Sequence, residues 1–223
     1  MPTAETAGAV SKDPTLEVER ACFASGALLV IGVDEVGRGA IAGPVAVGVH
    51  AIAADVGEFP AGLRDSKLLS ERRRGAPGRE GPLGGAGPGG PRPPAEIDER
   101  GISWALGEAG RRAVQRLAEA GLPIEAATVL LDGRHDWLSP ALERPDPIRP
   151  YEVRAMVGAD RSCASVAAAS VSAKVERDAL MRAADQDHPG YAWASNKGYG
   201  ARAHYDGLST LGLTPLHRRS FIH

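Results

Sequence analysis

Two periodicities divide the apolar and polar positions of this chain. Leu28 to Val33 (LLVIGV) is an unbroken β-prone run, the pattern of a strand covered on both faces. Gly43 to Ile52 (GPVAVGVHAI) alternates instead, with Val45, Val47 and Val49 on one face. It predicts a second strand, antiparallel to the first, with GRGAIAG as the turn. Thr128 to Leu131 (TVLL) predicts a short buried strand, and Val153, Ala155 and Val157 a further alternating one. A helical period takes over at Ile102, Ala105, Leu106, Ala109, Ala113 and Leu117, stopped by Gly121. Ser162 to Ala184 predicts a second helix. Its first half (SCASVAAASVSAK) is almost entirely small and suits close packing on a sheet. Its second half (KVERDALMRAAD) is charged and is expected to reach solvent. Ala201 to Leu211 predicts a third helix, ended by Gly212 with Pro215 beyond. This order of strands and helices in 223 residues implies an α/β fold.

The ends and one internal stretch depart from these patterns. Residues 1 to about 25 are polar and Ala-rich, which predicts a flexible tail with a short helix near Leu16 to Phe23. Residues 26–223 are then a single domain. Within it, Gly75 to Pro94 (GAPGREGPLGGAGPGGPRPP) holds 8 Gly and 6 Pro. That composition excludes regular structure, because Gly costs backbone entropy and Pro removes donors, and it predicts a loop or linker. The preceding Ser70-Glu-Arg-Arg-Arg looks like a helix start cut short.

Composition narrows the picture. Hydrophobic residues make up 43% but aromatics only 4%, so the core is expected to rest on Ala, Val, Leu and Ile. A net charge of −2 confines nucleic-acid contact to local clusters of Lys and Arg. Cys22 and Cys163 are distant and lack a CxxC spacing, which excludes a disulfide framework or a zinc site. Cys163, among small residues, predicts a buried thiol. No apolar run follows a basic head, and none reaches 18 residues. No secretory signal or membrane span is expected, and a reducing, cytoplasmic location is.

The candidate chemistry lies at strand ends. The first strand runs into Asp34-Glu35-Val36-Gly37-Arg38-Gly39. Adjacent carboxylates beside an apolar run are costly unless paired or metal-bound. Neighbours on a regular strand point to opposite faces, so one site needs a strand end or kink, which Gly37 and Gly39 permit. Asp132 follows the TVLL strand, and Asp160 follows VRAMVGA and precedes the small-residue helix. Converging oxygen donors suit Mg²⁺ or Mn²⁺ and phosphodiester chemistry. The alternative makes Asp132 a turn residue and Asp160 a helix N-cap. Arg38, Lys67, Lys174, Lys197, Arg218 and Arg219 are candidates for phosphate contact, although Arg218 and Arg219 near a C-terminus would ordinarily be a solvated tail. Tyr199, in NKGYGA, either stacks on a sugar or base or anchors its loop inward.

Together the blocks VIGVDEVGRGAIAGPVAVGV, DSKLLSERRR, LLDG, ADRSCASVAAASVSAKVERDALM and HPGYAWASNKGYGARAHYDGLSTLGLTPLHRRSF resemble, in order, the signature blocks of the ribonuclease HII family, over residues 29 to 221. The resemblance implies an RNase H-like mixed sheet flanked by helices, with a C-terminal helical extension over 190–223. It implies four acidic metal ligands, Asp34, Glu35, Asp132 and Asp160, and a two-metal site for Mg²⁺ or Mn²⁺. Gly37, Arg38 and Gly39 would sense the ribonucleotide 2′-hydroxyl, the group that separates RNA from DNA. Tyr199 would pack on the neighbouring sugar, Lys67 and Lys174 would lie near the site, and Asp178 would be structural. The implied substrates are RNA–DNA hybrids and duplex DNA carrying ribonucleotides, cut on the 5′ side to leave 5′-phosphate and 3′-hydroxyl ends. The chain is expected to be a monomer, with no protein partner named.

The Gly/Pro window departs from the family, where the equivalent stretch is helical and apolar. Ser70 and Glu96-Ile97-Asp98 keep the family's separation, but the residues between are foreign. That combination suggests compensated frameshifts in a GC-rich gene, or a sequencing error; no amphipathic helix in either other frame would sink the idea. Two other functions compete. An actin-like phosphotransferase would need glycine-rich phosphate loops, which are lacking. An inactive hybrid-binding protein would fit a damaged window, but all four acids are present.

Overall fold

Strand β1 (Leu29–Val36) is buried from Leu29 through Asp34, as an unbroken apolar run must be at the centre of a sheet. The computed structural model describes residues 13–57 and 92–222. Before β1 comes helix α1 (Glu17–Ala24). After it come β2 (Ala46–Ile52), α2 (Pro94–Arg100), α3 (Ile102–Glu119), β3 (Ala127–Asp132), α4 (Ser139–Leu142), β4 (Glu152–Met156), α5 (Ala159–Ser162), α6 (Ala164–Asp187), α7 (Trp193–Asn196) and α8 (Arg202–Leu211). The sheet runs β2-β1-β3-β4. β1 pairs antiparallel with β2, as the alternating pattern implies, and β3 and β4 add in parallel. This mixed sheet flanked by helices is the expected α/β, RNase H-like architecture.

Alternation along β1 assigns the two sheet faces. Leu29, Ile31 and Val33 join Val47 and Val49 in a core closed by Leu106, Ala109, Ala113 and Leu117 of α3. Val30 joins Leu130, Cys22, Ala164 and Val166 on the other face, under α1 and α6. α6 approaches that face closely because both surfaces lack bulk. A Cβ on Gly32 would lie 2.2 Å from the Ser165 carbonyl carbon, and one on Gly48 would lie 2.1 Å from the Ala169 oxygen. Both cysteines are free and buried, as their surroundings suggest.

Several expectations need correction. The short helix expected near Leu16 to Phe23 is present as α1, but it is not loose: Leu16, Glu19 and Cys22 are buried. Residues 1–12 lie outside the described residues. The Gly/Pro window has an ordered end. Arg92 exchanges backbone hydrogen bonds with Val45, and Pro94 opens α2, where a missing N–H costs nothing. The rest of the window, 75–91, lies outside the described residues. The charged half of α6 does not wholly reach solvent, since Arg177 and Met181 are fully buried. Aromatics also contribute to the interior. Tyr191 and Trp193 form a separate small core with Ala42 and Met181, their rings stacked at 4.9 Å.

Candidate active site

β1 keeps its pairing with β2 as far as Val36 but leaves β3 after Val33↔Leu131. Asp34 and Asp132 are the next residues on the two strands, so two acids stand side by side where the strands part. They share the face that packs on α6, and the Ser170 hydroxyl of that helix donates to the Asp34 carboxylate. Glu35 follows, its N–H donating to Asp34 Oδ1 at 2.7 Å, with Arg38 Nη1 3.3 Å from its Oε1. The kink expected at Gly37 is present as a φ of +82°, a conformation open to glycine at little cost.

Asp132 Oδ1 accepts the Ala159 N–H at 2.7 Å, while the Gly133 N–H donates to the Met156 carbonyl. These bonds tie the β3 end to the start of α5, whose first turn carries Asp160. The capping carboxylate here is therefore Asp132, reaching across from β3, and Asp160 is not the N-cap.

Charge is concentrated at these strand ends. Burial pushes the Asp34 carboxyl up to about 7, with Asp132 and Glu35 adding repulsion and the Ser170 hydroxyl opposing it. Burial also raises Glu35, against the pull of Arg38. Glu35 Oε2 is buried with no hydrogen-bond partner among the described residues. Among the described residues, no three His, Cys, Asp or Glu side chains are closed around a common point. The donor chemistry nevertheless fits a hard divalent cation: the donors are carboxylate oxygens, they repel one another, and one buried oxygen is unsatisfied. Closing such a shell requires the side chains to turn inward.

The remaining candidates separate into two groups. Gly37, Arg38 and Gly39 form the turn after β1, and Tyr199 reaches it from the C-terminal segment, its hydroxyl accepting the Gly37 N–H at 3.2 Å. Tyr199 is 41% exposed, so its ring is neither a buried anchor nor free of its neighbours. Lys174 is half exposed on α6 and pairs with Asp178 at 3.2 Å. Lys197 turns back onto the Ala194 carbonyl, and Lys67 lies outside the described residues. Arg219 is exposed, but Arg218 is neither a phosphate contact nor a solvated tail. It is fully buried and donates to the Gly43 and Arg38 carbonyls. Burial and the nearby Arg177 guanidinium lower Arg218 to about 9, which leaves it charged at neutral pH.

Three side chains that sequence patterns missed shape this region: Ser170, Arg177 and His204. Ser170 looked like one more small packing residue, and Arg177 like one more charge on a solvated helix face. His204 accepts from Trp193 Nε1 at 2.9 Å, so its Nδ1 carries the proton donated to the Tyr199 carbonyl at 2.9 Å. It thereby holds the Tyr199 loop from behind. The HPGYAW and GARAHYDG segments contained the signal, but only folding pairs Trp193 with His204.

Known proteins resemble the chain in sequence and in fold. The pattern of the family described as Ribonuclease HII matches residues 31–76 and 93–223. The break, 77–92, falls inside the Gly/Pro window. Ribonuclease HII of Rhizorhabdus wittichii is 45% identical over 195 residues, covering 87% of this chain and 88% of the relative. Ribonuclease HII of Paracoccus denitrificans is 40% identical over 220 residues, covering 93% and 91%. In fold, the chain resembles the ribonuclease H2 of Pyrococcus horikoshii (TM-score 0.53, 23% identity, covering 86% of this chain and 93% of that one). It also resembles Bst-RNase HIII in complex with Mn²⁺ (TM-score 0.66, 21% identity, covering 97% and 73%), and the RNase HII of Archaeoglobus fulgidus in its complex with PCNA (TM-score 0.58, 22% identity, covering 88% and 96%).

Proposed function

We propose, from the premise that this chain belongs to the ribonuclease HII family and is a ribonuclease H enzyme, that it hydrolyses the RNA strand of RNA–DNA hybrids and nicks duplex DNA on the 5′ side of embedded ribonucleotides, leaving 5′-phosphate and 3′-hydroxyl ends. The observation that carries this is the adjacency of Asp34, Glu35 and Asp132 where β1 and β3 part, with one buried Glu35 oxygen that has no hydrogen-bond partner among the described residues. Family membership removes the phosphotransferase alternative.

Asp34, Glu35, Asp132 and Asp160 are the residues that would hold two ions, Mg²⁺ or Mn²⁺. Such ions, when bound, supply water activation and neutralise charge on the cleaved phosphate. The protein's own contribution is placement. Ser170 and the Glu35 N–H orient the Asp34 carboxylate, and the Ala159 N–H orients Asp132. The Gly37-Arg38-Gly39 turn brings bare backbone toward a 2′-hydroxyl, and the exposed ring edge of Tyr199 packs on the adjoining sugar. Lys174 and Lys67 are proposed phosphate contacts. We propose a monomer acting on its duplex. No helix among the described residues is long and apolar enough to cross a membrane. By analogy with the Archaeoglobus complex, a PCNA-like protein is a candidate partner.

The decisive experiment is cleavage of a labelled DNA duplex carrying one ribonucleotide, with Mg²⁺ or Mn²⁺, beside Asp34→Asn. A metal-dependent nick immediately 5′ of the ribonucleotide, absent in the variant, is the expected result. A folded native chain that leaves the duplex intact would refute the proposal.

A further inference from the structure

Arg177 is fully buried, yet among the described residues no carboxylate forms a salt bridge with it. A buried guanidinium is costly, and it is retained only where its donors are well satisfied. Here three of them are spent on backbone carbonyls. Nε donates to Pro44 at 2.8 Å, Nη2 to Ala42 at 3.2 Å and Nη1 to Lys197 at 2.8 Å. The first two carbonyls belong to the loop that leaves the Gly37-Arg38-Gly39 turn, and the third belongs to the segment that carries Tyr199. The guanidinium carbon also sits 5.4 Å from the centre of the Tyr199 ring. Gly37 lies against the same group, since a Cβ there would meet Arg177 Nε at 2.0 Å. Arg177 thus touches both partners of the Gly37 N–H to Tyr199 hydroxyl bond.

We propose that Arg177 is a positioning residue for ribonucleotide recognition, a planar cation that locks the Gly37 turn and the Tyr199 ring into one fixed relative placement. It rests on the proposed function above, in which these two elements read the ribose. Arginine suits the task because a flat fork can serve three carbonyls and lie along a ring at once, whereas an ammonium is a point donor that cannot.

Arg177→Lys keeps the charge and loses the fork. The expected result is a drop of about 10- to 100-fold in kcat/KM for nicking at a single ribonucleotide, the size a small misplacement can produce. Affinity for an all-DNA duplex of the same sequence is expected to stay within about two-fold, because backbone phosphate contacts are untouched. Tyr199→Phe is expected to cost less in the Arg177→Lys background than in the native chain, since the lock is already open. Equal weakening toward both duplexes, or additive losses, would overturn the positioning role while leaving the proposed function standing. A native chain that does not nick at all would overturn both. Should Arg177→Lys fail to fold, the Arg177 Nε–H resonance of the native chain decides. It is expected to shift when the ribonucleotide duplex binds and to stay in place with all-DNA; identical shifts with the two duplexes would overturn the role.

Discussion

The backbone N–H of Gly37 donates to the hydroxyl of Tyr199, joining positions 162 residues apart in the chain. One side of this bond is a buried glycine in a backbone conformation that only glycine adopts cheaply, and the other is a half-exposed ring. Tyr199→Phe removes only the acceptor, and a neutral hydrogen bond of about 1 kcal/mol corresponds to a loss of roughly five-fold in kcat/KM. Tyr199→Ala also removes the stacking surface and is expected to cost about 10- to 100-fold at an embedded ribonucleotide. Native rates from the alanine variant would exclude Tyr199 from recognition.

Asp34→Asn is expected to abolish cleavage and yet stabilise the metal-free protein. The folded-state carboxyl titrates near 7, well above an unfolded Asp, so its ionisation opposes folding as pH rises through that interval. Removing the charge at pH 8 relieves that opposition, by about 1–3 kcal/mol after allowance for relaxation. Thermal unfolding in chelator checks this. Mn²⁺ is then expected to raise Tm in the native chain and much less in the variant. A lower Tm for the variant in chelator would contradict the burial cost, and the added repulsion from Asp132 and Glu35, that raise this carboxyl.

Glu19 caps a helix from a different element. Its Oε1 accepts from the Ser165 N–H at 2.9 Å and from the Ser165 hydroxyl at 2.8 Å, and the residue is fully buried. It thus satisfies donors at the start of α6 and pins α1 to that helix. Glu19→Ala is expected to destabilise by about 1–3 kcal/mol, with Glu19→Gln less damaging because one acceptor remains. Denaturant unfolding that shows no difference between native and alanine chains would mean that α1 is not held through this contact.

Close approach of α6 makes Gly48 intolerant of any side chain. A methyl group there would meet the Ala169 carbonyl at 2.1 Å, and backbone must move to admit it. Gly48→Ala is expected to cost about 1–3 kcal/mol, whereas Gly57→Ala, with nothing within 4 Å, is expected to be neutral. The paired comparison in urea separates packing from glycine's entropic effect; equal midpoints would refute the close contact.

The histidine pair predicts acid sensitivity. His217 Nδ1 accepts the Thr214 N–H at 2.9 Å, and its Nε2 lies 3.2 Å from His204 Nε2, so both rings are held neutral. Burial and the facing His204 lower His217 to about 4, and burial lowers His204 as well. An unfolded histidine titrates near 6.5, so the unfolded chain takes up protons first as pH falls. The stabilisation is complete above about 6.5 and is lost toward 4, by at most ~1.4 kcal/mol per pH unit for each ring. The Tm gap between the native chain and His217→Gln is expected to narrow over that range; a gap independent of pH would contradict neutral burial.

The alternating and unbroken apolar runs determined by themselves that β1 and β2 pair, that α3 buries one face, and that a helix of small residues lies close on the other. Those outcomes follow from local periodicity, which is a property of the chain. The ends of β1 and β3 were equally legible as places where acids follow apolar runs. Only the tertiary structure decided which of those acids cap, pair or stay unsatisfied: Asp132 caps α5, Arg38 faces Glu35, and one Glu35 oxygen has no partner. Arg177, Arg218 and Glu19 look in sequence like surface charges, because burying a charge is costly in general and no local pattern announces an exception. Each is buried here because distant segments deliver carbonyls or N–H groups to the same point. That cost can be met only by neighbours that folding brings together, so no reading of adjacent residues could have found it.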